Sequence, residues 1–233
     1  MFDGLGARAG KPPPQPSETF GQEAYSLPVP DWNASGVYST ELWGNKAVNL
    51  IENHNFETTP FFMYLGFQSP HAPVQPSPDA AINARCKTLT QGEGRDVYCS
   101  MVSYMDRKIG EVVAAMKRRT YTGADTASKT EWDNTLLIFS SDNGGCFPGE
   151  NRGCNFPLRG GKHHLFEGGI KVTAFISGGL VPRAARGATS HALMHATDWF
   201  TTILGLVDGA NIDHSGLDGE MWQMMVLMVR CGR

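Results

Sequence analysis

The chain has no run of 18 apolar residues, so no segment reads as a membrane-spanning helix. Its opening, MFDGLGARAGKPPPQP, lacks the apolar stretch of a secretory signal, so for a protein acting outside the cell the true beginning is expected upstream. The five cysteines, Cys86, Cys99, Cys146, Cys154 and Cys231, match no CxxC metal-site spacing, and their odd number leaves at least one thiol unpaired within the chain. There is also no basic face. Lys and Arg are scattered at a net charge of -3, apart from Lys117, Arg118 and Arg119, which read as a solvated helix end, and no nucleic-acid partner is expected. What is present is an ordinary globular composition, 41% hydrophobic, 10% aromatic and 18% charged. The 233 residues suffice for one sizeable core or most of a larger domain.

Residues 1–37 are rich in Pro, Gly and Ser without a steady hydrophobic period and read as a loop-like, poorly ordered arm. From Ser39, the positions Leu42, Trp43, Ala47, Leu50 and Ile51 recur at helical spacing. FFMYLGF, residues 61–67, is a continuous apolar run of strand length, as expected for a strand covered on both faces of a parallel sheet. Val97 to Met116 carries the period of an amphipathic helix, and Thr135 to Phe139 reads as a second buried strand. A Gly-rich excursion over residues 144–169 leads to a third strand at 170–177, and a last helix is expected from about Thr197 to Val207. This order predicts an α/β fold, a mostly parallel sheet flanked by helices, in which ligands bind beyond the carboxyl ends of the strands.

Three segments lie at such ends. NTLLIFSSDNGG delivers Asp142 and Asn143, hard oxygen donors suited to Ca²⁺ or Mg²⁺, although a DNGG turn closing a strand is the plainer alternative. PLRGGKHHLFEGG gathers Arg159, Lys162, His163 and His164 in a loop whose cations can hold an oxyanion, or simply face solvent. QSPHAP fixes His71 between two prolines, where it can serve an oxyanion or a leaving group, or act only as a structural hydrogen bonder.

Together these blocks resemble the sulfatase family, and within it the arylsulfatase B-like branch, over residues 38–222. The resemblance rests on FFMYLGFQSPHAP, YCSMVSYMDRKIGEVVAAM, NTLLIFSSDNGG, NFPLRGGKHHLFEGGIKV, HATDWFTTIL and LDGEMW in the family's order. It implies an alkaline-phosphatase-like fold and sulfuric ester hydrolysis. It also implies Ca²⁺ held by Asp142 and Asn143, and a sulfate ester, with a sulfated glycan as one form of it, contacted by Lys162 and His71. The family's two earlier aspartates, its CxPxR segment with the cysteine oxidised to formylglycine, and its later GKWH-type segment have no counterpart in this sequence.

The expectation is therefore an incomplete catalytic domain, residues 38–222, followed by a truncated tail at 223–233, inactive alone but derived from a secreted or lysosomal enzyme. Two alternatives stay open, a non-catalytic module binding sulfated glycans and a related phosphoesterase. Asn33, in the sequon Asn33, Ala34, Ser35, is a candidate glycosylation site, and Cys146 and Cys154 are candidates for a local disulfide in the Gly-rich loop.

Overall fold

The computed structural model describes residues 31–90, 94–122, 127–146 and 153–206. The chain divides into two units, Met1–Ser35 and Gly36–Arg233. Of the first, the described part is a 3-10 turn, Trp32–Ala34, begun by the Asp31 carboxylate accepting from the Asn33 N–H. The tail at 223–233, the LDGEMW block and the arm before residue 31 lie outside the described residues.

The second unit is built on three helices, α1 Ser39–Asn53, α2 Ala80–Thr90 and α3 Arg95–Arg118. The spacing of Thr40, Gly44, Ala47 and Ile51 puts them on one face of α1, and all four are buried. That face meets α3, where Ala115 and Met116 join Ile51 in the core, ringed by Val48, Phe56, Phe61, Met63, Val112 and Trp132. Burying a side chain the size of Ile51 stabilises by roughly 2 to 3 kcal/mol. Gly44 has a specific reason to be glycine, since a Cβ there would sit 2.9 Å from the Lys108 Cδ. The space lets the Lys108 stem lie across α1 while its ammonium donates to Asn45 Oδ1 and Glu111 Oε2, both at 2.9 Å. Lys108 is thereby 5% exposed, with its ammonium held by two oxygens, one of them a carboxylate.

The ends of these helices are satisfied locally. Asp79 Oδ1 accepts from the Ile82 N–H at 2.7 Å at the start of α2. Arg119 donates to the carbonyls of Glu52 and His54 at the end of α1, while Arg118 pairs with Glu52 and Lys117 lies over the Trp132 ring. The basic cluster is thus a helix end tied to its neighbours. A disulfide between Cys86 and Cys99 joins α2 to α3.

Two short ribbons follow. β1 Thr120–Thr122 pairs antiparallel with β2 Ser128–Thr130, and β3 Leu137–Ser140 pairs antiparallel with β4 Ala174–Ser177 in the register Leu137 to Ser177 and Ser140 to Ala174. Phe139 stacks on Phe175 across the second ribbon. Between β3 and β4 lies the short α4, Glu167–Ile170, and α5, Asp198–Gly205, is the last helix among the described residues.

The α/β character holds, but the expected parallel pairing does not occur among the described residues. Residues 61–67 carry no regular secondary structure and alternate half-buried with exposed, and no described strand pairs with them. Phe61 and Met63 pack on the helical core, whereas Phe62 is 73% and Tyr64 89% exposed. A continuous apolar run was expected to be covered on both faces. Among the described residues the helical layer covers one face of the run and no element covers the other. The third expected strand is also shorter, since Ile170 ends α4 and pairing begins at Ala174.

Candidate functional site

The end of the β3–β4 ribbon near Ser140 is where the DNGG turn and the Gly-rich loop meet. The Ser141 N–H donates to the Thr173 carbonyl at 3.1 Å and the Gly144 N–H to the Gly169 carbonyl at 2.9 Å, so the turn is stitched to the segment just before β4. Gly144 is required by that approach, since a Cβ there would stand 1.8 Å from the Gly168 carbonyl oxygen.

Asp142 is exposed, and its Oδ1 accepts from the Asn143 N–H at 2.9 Å. Asn143 spends its amide N–H on the Gly144 carbonyl at 3.0 Å. Among the described residues, Asp142 Oδ2 and Asn143 Oδ1 accept no hydrogen bond, which leaves two hard oxygens at the strand end. In kind they fit Ca²⁺, whose coordination is built from oxygen, but two donors fall well short of the six to eight it takes. Among the described residues no group of three or more His, Cys, Asp or Glu is placed to hold a metal ion.

Lys162 comes to this turn through its backbone, whose N–H donates to the Gly145 carbonyl at 3.0 Å. Its ammonium makes no hydrogen bond or ion pair among the described residues. Asn155, which sequence reasoning passed over, fixes the arrangement. Its Oδ1 accepts from the Gly145 N–H at 2.8 Å, and its Nδ2 donates to the Gly145 carbonyl at 2.9 Å and the Gly160 carbonyl at 3.2 Å. One amide side chain therefore pairs with both backbone groups of Gly145, as a neighbouring strand would. A clue was available in the sequence, because an asparagine just ahead of a Gly-rich loop is a residue type that bridges backbone groups.

The turn after Gly161 has a further peculiarity. The His164 N–H donates to the Gly161 carbonyl at 2.9 Å, closing a four-residue turn with His163 in its third position at φ 75°. That conformation favours glycine, and a side chain there costs about 1 to 2 kcal/mol, although His enters it more readily than most residues. His164 turns its Nδ1 to the Gly161 carbonyl, whereas His163 is exposed and makes no hydrogen bond, ion pair or ring contact among the described residues. Arg159 lies over the Phe166 ring, 3.9 Å from its centroid.

His71 is held on its own turn. Its N–H donates to the Gln68 carbonyl, and Ser69 within that turn shares a buried 2.7 Å hydrogen bond with Thr40 at the start of α1. Because a carbonyl can only accept, the 2.8 Å contact from Nδ1 to the Ala72 carbonyl puts the ring proton on Nδ1 and leaves Nε2 open. No hydrogen bond or ion pair links His71 to Asp142, Asn143 or Lys162 among the described residues. The structure therefore joins Lys162 to the DNGG turn and gives His71 a separate mount.

The candidate bridge between Cys146 and Cys154 is not formed; both are free thiols, Cys146 half-buried and Cys154 exposed. The Asn155 amide bonds to Gly145 instead, and a disulfide lies between Cys86 on α2 and Cys99 on α3. At the other end of the β3–β4 ribbon an open cleft of about 680 Å³ is lined by Lys129, Asp133, Arg183 and Arg186 among others, and it contains none of the candidate residues.

The DNGG turn and the Lys162 loop thus meet at one strand end, the region where α/β folds bind their ligands. Comparison with known proteins narrows the class. A Sulfatase family profile matches residues 11–210, and the chain belongs to the sulfatase family. It is 30% identical to Arylsulfatase J of Mus musculus over 190 residues, 81% of this chain and 29% of that protein. It is 28% identical to N-acetylgalactosamine-6-sulfatase of Mus musculus over 204 residues, 82% of this chain and 35% of the relative. The solved structure of Ps i-CgsB superposes with a TM-score of 0.50 at 32% identity, over 60% of this chain and 28% of that one. The chain thus spans about a third of the length of the curated relatives it matches.

Proposed function

We propose that the chain is part of a sulfuric ester hydrolase, carrying the metal-side and lysine-side elements of its site. The observation that carries this reading is the backbone hydrogen bond from the Lys162 N–H to the Gly145 carbonyl, clamped by Asn155, which ties the Lys162 loop to the end of the Asp142–Asn143 turn. Lys162 supplies a compact positive charge for the sulfate oxygens, and Asp142 Oδ2 with Asn143 Oδ1 contributes two ligands to Ca²⁺. Ca²⁺, when bound, would neutralise further charge on the sulfate. His71 completes the site from its own turn: with Nδ1–H held by the Ala72 carbonyl, its Nε2, when it too carries a proton, can donate to the ester oxygen of the leaving alcohol.

No CxPxR segment occurs in these 233 residues, so the nucleophile is not supplied by them. Alone, the chain is expected to bind sulfate weakly and to hydrolyse none. The same observation supports a second reading, a module that binds sulfated glycans without turning them over. A secreted or lysosomal setting is supported by the Cys86–Cys99 disulfide, which persists in oxidising compartments, and by the exposed Asn33 in its sequon.

The test is titration of the 233-residue chain with sulfate and Ca²⁺, together with a generic aryl sulfate assay. Sulfate binding should strengthen with Ca²⁺, weaken in Lys162→Ala and lose its Ca²⁺ dependence in Asp142→Ala. Sulfate binding indifferent to both substitutions would refute the site. Turnover that disappears in Asp142→Ala would refute the expected inactivity.

A further inference from the structure

We propose that His163 is a second oxyanion contact, reaching the same sulfate as Lys162 from the next position of the turn. The inference rests on the sulfate-binding reading of Lys162 and adds a residue to it.

The starting point is a local conflict. The turn from Gly161 to His164 needs a positive φ at its third position, and glycine, plentiful in this loop, would meet that need without strain. His163 is the non-glycine residue with positive φ among the described residues. Nothing visible within the fold compensates, because its imidazole is exposed and partnerless there, while the neighbouring His164 is tied to the Gly161 carbonyl. A strained residue that serves no packing or hydrogen-bonding purpose points to a purpose outside the fold.

Its position says which purpose. Lys162 precedes it in the same turn and is anchored to Gly145. Two adjacent side chains on one tight turn share a rigid mount, so an anion drawn to the ammonium comes within range of an imidazole N–H. The ligand is thus the oxyanion of a sulfate monoester, or free sulfate, for which lysine is the point charge and histidine the directional donor. The Arg159 guanidinium, lying over Phe166, is occupied differently and is not required for the contact.

The experiment compares His163→Gly, His163→Asn and Lys162→Ala in the 233-residue chain, reading the thermal midpoint together with the dissociation constants of inorganic sulfate and of a small aryl sulfate. Glycine should raise the midpoint by about 2 °C, as relief of a left-handed side chain's strain would in a chain of this size. It should also weaken sulfate about fivefold, less than Lys162→Ala does. Asparagine tolerates the left-handed conformation but is shorter than the imidazole, so it should lose affinity with little change of midpoint, which preserves the test if the glycine variant folds poorly. A weaker aryl sulfate with unchanged inorganic sulfate would place His163 against the leaving group and overturn the oxyanion contact. Undiminished affinity in both His163 variants, with Lys162→Ala impaired, would overturn the role of His163 and leave that of Lys162 intact. If Lys162→Ala also binds normally, the underlying sulfate reading fails with it.

Discussion

The helical layer, α1 to α3, and the loops at the β3–β4 end are held together by different forces. The helices bury Ile51, Ala115, Met116 and Tyr104, are crossed by a disulfide, and hold the buried Lys108 ammonium with two oxygens. The described parts of the loops, residues 141–146 and 153–170, bury chiefly glycines and are tied by backbone hydrogen bonds and the Asn155 clamp. Apolar burial is non-directional and tolerates small shifts, whereas hydrogen bonds fix positions and contribute little net stability each. The region with the candidate chemistry is therefore the one fixed in geometry and weak in energy.

Substitutions can break that contrast. The largest effect is expected from Ile51→Ala, which should cost about 3 kcal/mol in denaturant unfolding. If loop and core are separate in the way described, native-state exchange at Gly145 should change little when this substitution is made. Replacing Cys86 and Cys99 together by alanine should cost about 2 to 3 kcal/mol, and the wild type under reducing conditions should follow it. Equal stability of oxidised and reduced protein would remove the disulfide from the account.

Asn155→Ala should cost about 1 to 2 kcal/mol, concentrated in the loops. Amide exchange at Gly145 and Lys162 should accelerate while α1 and α3 remain protected. Uniform acceleration across the chain would mean that the two regions unfold as one.

The smallest effects are those of pH, and they have opposite signs. The Ile82 N–H, followed by Arg107, holds the Asp79 carboxyl below its ordinary value of 3.8. Its contribution is present above that value and lost as pH falls through the lower folded one, so Asp79→Asn should flatten the acid limb of the stability profile. Burial, partly offset by Arg119 and then His54, pushes Glu131 above its ordinary value of 4.5. Its contribution is present below that value and is lost as pH rises through the folded one, so Glu131→Gln should gain stability relative to wild type toward neutral pH. Parallel profiles for wild type and either variant would contradict these environments.

The same contrast explains what could be seen in the sequence. α1 and α3 announce themselves by period, because each buries one face, and α3 was read to within two residues at either end, Val97 to Met116 against Arg95–Arg118. FFMYLGF misled because composition cannot say whether a layer lies on each face of an extended run. The DNGG turn and the Lys162 loop were legible as residue types, and their adjacency rests on a hydrogen bond to Gly145 that no spacing encodes. Asn155, the left-handed His163 and the Cys86–Cys99 pairing stayed hidden for the same reason, since each depends on which segments approach one another in space.

The central claim is that the Asp142–Asn143 turn, Lys162 and His71 serve one ligand, within roughly 10 Å of one another as a shared small-ion site requires. It is tested most directly by adding Mn²⁺ in place of Ca²⁺ to the isotope-labelled chain and following paramagnetic broadening residue by residue. The account predicts broadening at Gly144, Gly145, Lys162 and the His71 ring, reversed by excess Ca²⁺ and absent in Asp142→Ala. Broadening confined to Gly144, Gly145 and Lys162, with the His71 ring unaffected, would contradict it.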